Sequence, residues 1–347
     1  MDSLLYRINM RVRDMQKFLN YDVSEIRGLI SNISVSTHYP TSIIEKDMWV
    51  SYILDYLFGR CKYRKYFEFK GGTSLSKGYG IINRFSEDLD IVVDAHAYSD
   101  KSVNDIMRME TRSQKEKYIR KLKTESTYFL RNILMPIITE DLRNEINKKL
   151  SVEYNEKEMS IYVRYDSLFE DMPYVKRAVK LELGPLAAWT PNEKKLISSF
   201  VQNSYPDLCS KVSFPVLITL PKRTFWEKAV ILHQEAYRKS GLLPERYARH
   251  YYDLYKMYPT QIKKDALADR ALLDEVRDFT ISFYYRSWSN FECARPGSFR
   301  LRPNSQYLAA LEDDYKKTTE LIFESPKPQF TDIIKCLGYL ENEINRL

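Results

Sequence analysis

Between residues 42 and 58, the apolar side chains Ile43, Ile44, Val50, Ile53, Leu54 and Leu57 recur at helical spacing, with Thr41 or Ser42 available to cap the first turn. Residues 66–69, Tyr-Phe-Glu-Phe, predict a short strand that ends at the Gly71-Gly72 turn, with a helix starting near Thr73. Residues 88–93 read as a strand. Its period of two puts Asp88, Asp90 and Val92 on one face and Leu89, Ile91 and Val93 on the other. The charged, glycine-poor stretch 101–149 is helical in composition, and its basic block of Lys115, Lys117, Arg120, Lys121 and Lys123 reads as a solvated face. Residues 159–165 and 177–183 alternate as neighbouring strands joined by a loop containing Pro173, with Lys180 and Glu182 sharing a face in the second. Residues 214–220 form a further strand candidate bounded by Pro221, beyond which the pattern is helical to the end. Thr224 followed by Glu227 predicts a capping box at the start of the first of those helices. The expected fold is therefore α/β (α+β): a short mixed sheet flanked by helices in a domain spanning 1–221, then an all-helical domain over 222–347.

Composition narrows the class. With 44% apolar and 14% aromatic residues in 347, the chain has ample material for a folded core. A net charge of +7 is a mild pointer to a polyanionic partner. Cys61, Cys209, Cys293 and Cys336 are far apart and lack nearby histidines, which argues against zinc. His38, His96, His233 and His250 are scattered and read as structural or exposed. The first residues lack the pattern of a signal peptide, and no apolar run approaches the ~20 residues that span a bilayer. A cytoplasmic protein with no membrane association is expected.

The candidate chemistry lies in Lys-Gly-Gly-Thr-Ser-Leu at 70–75 and Arg-Phe-Ser-Glu-Asp-Leu-Asp-Ile at 84–91. Two carboxylates on one strand face repel each other unless a cation neutralises them, and oxygen ligands of this kind suit Mg²⁺. Taken alone, an Asp-x-Asp is more often a solvated strand face. Gly71 and Gly72 let backbone amides approach a phosphate, and Thr73 and Ser74 add hydroxyls, although Gly-Gly-Thr alone is an ordinary strand-to-helix turn. The combination is more telling. Fifteen residues separate Gly72 from Asp88, room for one helix that brings the second strand back beside the turn.

These two segments resemble the AbiEii/AbiGii-type nucleotidyltransferase toxins, members of the DNA polymerase β-like superfamily found in abortive-infection and toxin–antitoxin systems. Residues 44–50, Ile-Glu-Lys-Asp-Met-Trp-Val, resemble the family's helix before the core. Residues 225–229, Phe-Trp-Glu-Lys-Ala, and 249–255, Arg-His-Tyr-Tyr-Asp-Leu-Tyr, resemble two later segments in the family's order. The resemblance implies a metal-dependent, NTP-using nucleotidyltransferase. It implies Asp88 and Asp90 as catalytic ligands of Mg²⁺ (or Mn²⁺), Gly71, Gly72, Thr73 and Ser74 as nucleotide-binding, Lys228 as both catalytic and nucleotide-binding, and Asp253 as a further catalytic element. Glu182 is the expected third metal carboxylate.

Structural readings stand beside several of these. Arg249 and Asp253 are four apart on a helix and can simply pair with each other. Glu45, Lys46 and Asp47 can be a salt-bridged support. Residues 283–302 interleave aromatic and arginine side chains, as an RNA-binding surface or as a core with a charged rim. The family implies an NTP substrate, an RNA acceptor such as the 3′ end of tRNA, and a cognate antitoxin. Transfer to a protein hydroxyl and a non-catalytic nucleotide- or RNA-binding regulator are the alternatives.

Overall fold

The structure, a computed structural model, describes residues 18–170, 176–184, 191–209 and 211–347. The expected Pro173 loop and the chain's first residues lie outside them. The strands are β1 Phe67–Lys70, β2 Leu89–Val93, β3 Leu150–Asn155, β4 Ser160–Tyr165, β5 Ala178–Gly184, β6 Asn192–Ile197 and β7 Phe214–Thr219. The helices up to the last strand are α1 Val23–Thr37, α2 Thr41–Asp55, α3 Gly71–Lys77, α4 Val103–Met107, α5 Arg112–Phe129, α6 Met135–Glu145 and α7 Phe200–Ser204. After β7 follow α8 Pro221–Ala236, α9 Ala248–Met257, α10 Gln261–Ala268, α11 Arg270–Tyr284, α12 Leu308–Thr318 and α13 Phe330–Asn345.

All seven strands join one mixed sheet in the order β3-β4-β5-β2-β1-β7-β6. β2 runs antiparallel to β1 and parallel to β5, while β1 runs parallel to β7. Phe67, Phe69, Leu89, Ile91, Leu181 and Leu183 are buried on one face, in a cluster shared with Ile44, Trp49 and Ile53 of α2. The alternate positions, Glu68, Lys70, Asp90 and Glu182, are thereby turned to the other face.

A second apolar cluster gathers Phe225, Trp226, Tyr251, Tyr252, Leu337 and Leu340 from the helices after β7, and it includes Leu75 and Ile82 from the earlier part of the chain. A short backbone ribbon fastens the two: Phe85 N–H donates to the Leu321 carbonyl at 2.7 Å, and Phe323 N–H to that of Asn83 at 2.9 Å. The segment leading into β2 is thus gripped by the C-terminal helices. Among the described residues, no helix is long and apolar enough to cross a membrane.

Several local expectations are corrected. β3 and β6 went unread in the sequence because they are the sheet's two edges, where polar residues such as Glu153, Glu193 and Lys194 replace a clean apolar alternation. α2 starts after Pro40 with no side-chain cap. α3 starts at Gly71, two residues earlier than expected. α8 begins at Pro221, whose fixed φ and missing N–H suit the first helical position. Thr224 therefore sits inside the helix, not at its cap, and its buried hydroxyl has no partner.

Glu45, Lys46 and Asp47 are all buried in α2. The Glu45 carboxylate accepts from Ser167 Oγ at 2.6 Å and the Leu168 N–H at 2.8 Å. Lys46 Nζ pairs with Glu87 at 3.2 Å and donates to the carbonyls of Lys176 and Ala178. Asp47 pairs with Lys77 and accepts the Phe200 N–H. Lys46 and Asp47 are salt-bridged as the support reading requires, whereas Glu45 is held by hydroxyl and amide donors and burial raises its carboxyl pKa.

Candidate functional site

Strand register builds the acidic side of the site. Lys70 of β1 lies opposite Asp90 of β2, and Asp90 lies opposite Glu182 of β5, which makes one cross-strand row on the sheet face turned away from the α2 core. Asp88, two residues before Asp90, adds a third carboxylate. Burial pushes the Asp90 carboxyl up to about 7, and Glu182 and Asp88 add to the rise while Lys70 opposes it.

The glycine turn is shaped to Asp90. Gly71 has φ +78°, and a Cβ there would lie 1.8 Å from Asp90 Oδ2; a Cβ at Gly72 would meet Arg84 Nη2 at 2.6 Å. Only glycine lets the turn press against both side chains. Together Gly71, Gly72, Asp88, Asp90, Glu182 and Lys228 line a cleft of about 200 Å³. The structure thus brings into one place residues that span more than 150 positions of sequence.

The opposite wall is cationic, and its charges are compensated from behind. Asp253 of α9 is fully buried and takes Arg84 in a two-pronged bond, Nε to Oδ1 at 2.7 Å and Nη2 to Oδ2 at 2.8 Å. The same carboxylate holds Lys228 Nζ at 2.7 Å. Burial works against the charge of Asp253, but Arg84 and Lys228 hold its carboxyl far below the usual range. For Lys228 burial dominates, and its ammonium pKa is lowered despite Asp253. Asp253 orients two cations and does not line the cleft itself. Arg249 pairs with Asp88 at 3.5 Å instead of with Asp253, so the intrahelical pairing considered from the sequence is not formed.

Thr73 and Ser74 are buried behind the turn. Thr73 Oγ1 donates to the Asp88 carbonyl at 2.5 Å and lies 2.8 Å from Ser86 Oγ, while Ser74 Oγ donates to the Gly71 carbonyl at 2.9 Å. Their hydroxyls are committed to bracing the turn and the start of β2, which differs from the expected phosphate contact. Glu182 lines the cleft beside Asp90, as its register requires. Lys180, two residues earlier and hence on the same face, binds its carboxylate at 2.6 Å.

The cleft holds residues that sequence reasoning passed over. Lys70 reaches Glu227 at 3.5 Å, and Glu227 also pairs with Arg223 at 3.3 Å. His250, read as structural or exposed, lines the cleft, where burial and the neighbouring Lys228 and Arg249 push its pKa well below the usual imidazole value. Arg84, Ser86, Glu227, Arg249 and His250 all stood inside quoted motifs. Their signal was position within the motif, which fixes no direction for a side chain.

Among the described residues, no group of three or more His, Cys, Asp or Glu side chains is gathered to hold a metal ion. The donor chemistry nevertheless fits a hard divalent cation at Asp88 and Asp90: Asp88 is close enough to raise the proton affinity of Asp90, and the donors are all oxygen. Lys228 lines the same cleft, so an anion bound there can lie near both the carboxylates and the ammonium.

The sequence profile of the nucleotidyl transferase AbiEii toxin family, type IV TA system, matches residues 53–336. No curated protein matches the chain. Among solved structures, the chain is similar to MenT4, a nucleotidyltransferase toxin from Mycobacterium tuberculosis H37Rv, at 15% identity and a TM-score of 0.45, covering 92% of this chain and 97% of that one.

Proposed function

Because the chain belongs to the nucleotidyl transferase AbiEii toxin family of toxin–antitoxin systems, we propose that its cleft moves a nucleoside monophosphate from an NTP to an acceptor hydroxyl, the 3′ end of a tRNA. The observation that carries this reading is the cleft itself, which Asp88, Asp90 and Lys228 line together with the Gly71-Gly72 turn. Asp88 and Asp90 would hold Mg²⁺ or Mn²⁺, and the bound ion would offset phosphate charge and favour departure of pyrophosphate. The glycines hold the turn's backbone against Asp90 and Arg84, so a triphosphate in the cleft would lie beside the turn next to both side chains. Lys228, kept in place by Asp253, pairs with phosphate oxygens as charge develops on them. The acceptor hydroxyl gives its proton to solvent, its oxygen bonds to the α-phosphorus, and the α–β anhydride bond breaks, with its electron pair leaving on pyrophosphate. A cognate antitoxin would restrain the activity in the cell.

Incubation with each α-labelled NTP, Mg²⁺, total RNA and total protein tests the reading. Label in tRNA is expected. Label in protein would move the acceptor to a protein hydroxyl, and label in neither would leave a nucleotide- or RNA-binding regulator.

A further inference from the structure

On the far side of Arg84 and Ser86 from the carboxylates lies a second and larger cavity, of about 450 Å³, that shares those two residues with the cleft. It forms where the sheet half meets the helices after β7. Tyr39 and Phe200 come from the first half and Phe323 from the second; the Tyr39 ring centroid stands 4.6 Å from that of Phe323 and 5.1 Å from that of Phe200. All three rings are half-buried at the cavity wall. Polar groups interrupt the aromatic lining: Ser198, Asn203 and Asn83, whose amide nitrogen donates to Glu324 at 3.2 Å.

The charges at this wall are already answered. Lys77 pairs with Asp47, Glu324 with Lys256, and Arg84 with Asp253. A phosphate would find no uncommitted cation among these, and a purely apolar ligand would strand the hydroxyl and amide groups. A flat, neutral ring edged with donors and acceptors suits both parts of the lining, because aromatic side chains stack on its face and amides read its edge. We infer that this cavity binds a nucleobase. The base belongs either to an acceptor strand that continues into the cleft or to a free nucleotide.

The inference does not depend on nucleotide transfer, and its test is separate. The four ribonucleosides and, in parallel, a short single-stranded oligoribonucleotide are titrated calorimetrically into the full chain without NTP or divalent metal. Saturable binding is expected. It should persist in Asp90→Ala, weaken roughly tenfold in Phe323→Ala, as loss of one stacking partner implies, and weaken severalfold in Asn203→Ala. The side chain of Asn203 is exposed, so that second variant leaves the fold intact. An oligonucleotide that binds more tightly than any nucleoside assigns the base to an acceptor strand, whereas equal affinity assigns it to a free nucleotide. Absence of binding by either probe, or binding abolished by Asp90→Ala and untouched by both cavity variants, overturns the inference. Failure of the transfer assay would leave this result standing.

Discussion

Two acidic clusters of this chain look alike in sequence and behave oppositely in space. Glu45 and Asp47 flank Lys46 in a buried helix, where each carboxylate receives N–H or O–H donors or a cation. Asp88 and Asp90 face a cleft. There Asp90 feels two like charges, and the cation that opposes them most, Lys70, is also drawn to Glu227. The first cluster is completed by the protein and serves stability. In the second, Arg249 answers Asp88 but Asp90 is left short of positive charge, which an enzyme handling a metal-bound triphosphate would need. Incomplete compensation, and not acidity, separates the functional cluster from the structural one.

The comparison is tested most severely by removing one member from each side. Asp90→Ala should lower transfer by on the order of a thousandfold while leaving the thermal midpoint unchanged or raised, because it relieves like-charge repulsion. A clear drop in the midpoint would reassign Asp90 to the structural class. Lys46→Met should do the reverse at the other cluster. With Glu87 left to its second partner, Arg246, and the Lys176 and Ala178 carbonyls deprived of their donor, urea unfolding should report a loss of about 1–3 kcal/mol.

Glu68 sharpens the picture, since it is buried on the same sheet face and is met by hydroxyl and amide donors in place of a cation. It accepts from Thr219 Oγ1 and, at 2.8 Å, from Asn192 Nδ2, yet burial pushes its carboxyl up to about 7. The folded state therefore binds a proton that the unfolded state releases near pH 4.5. The stabilisation is full below that pH and is lost as pH rises toward 7, by at most about 3 kcal/mol. Glu68→Gln should flatten this slope in urea titrations run across that range. An unchanged slope would show that Glu68 is ionised in the fold.

The smallest effect is expected at Lys180, which draws Glu182 aside. Lys180→Ala should tighten Mn²⁺ binding severalfold by calorimetry if the freed carboxylate joins Asp88 and Asp90. Unchanged affinity would keep Glu182 out of the metal set.

Much of this was legible in the chain. The short strand before Gly71, the strand carrying Asp88 and Asp90, the paired strands β4 and β5, and the helical character beyond Pro221 all follow from local pattern, because burial of one face imposes a period on the sequence. The motif residues Gly71, Gly72, Asp88, Asp90 and Lys228 could also be named. The polar edge strands β3 and β6 escaped, as their stability comes from neighbours and not from their own apolar content. The capping box at Thr224 was misread because Pro221 starts the helix one turn earlier. Thr73 and Ser74 looked like phosphate donors until the Asp88 and Gly71 carbonyls were seen to occupy them.

What the amino-acid order alone determined is which residue types stand close along the chain: a glycine pair after a strand, two acids on one strand face, a lysine on a helix. Direction and pairing were decided only in three dimensions. Asp253 bonds Arg84 and Lys228 instead of Arg249, and Arg84 becomes the wall between two cavities, since a buried charge takes whichever opposite charge packing delivers to it. That delivery depends on long-range contacts between the sheet and the C-terminal helices, which no local spacing encodes.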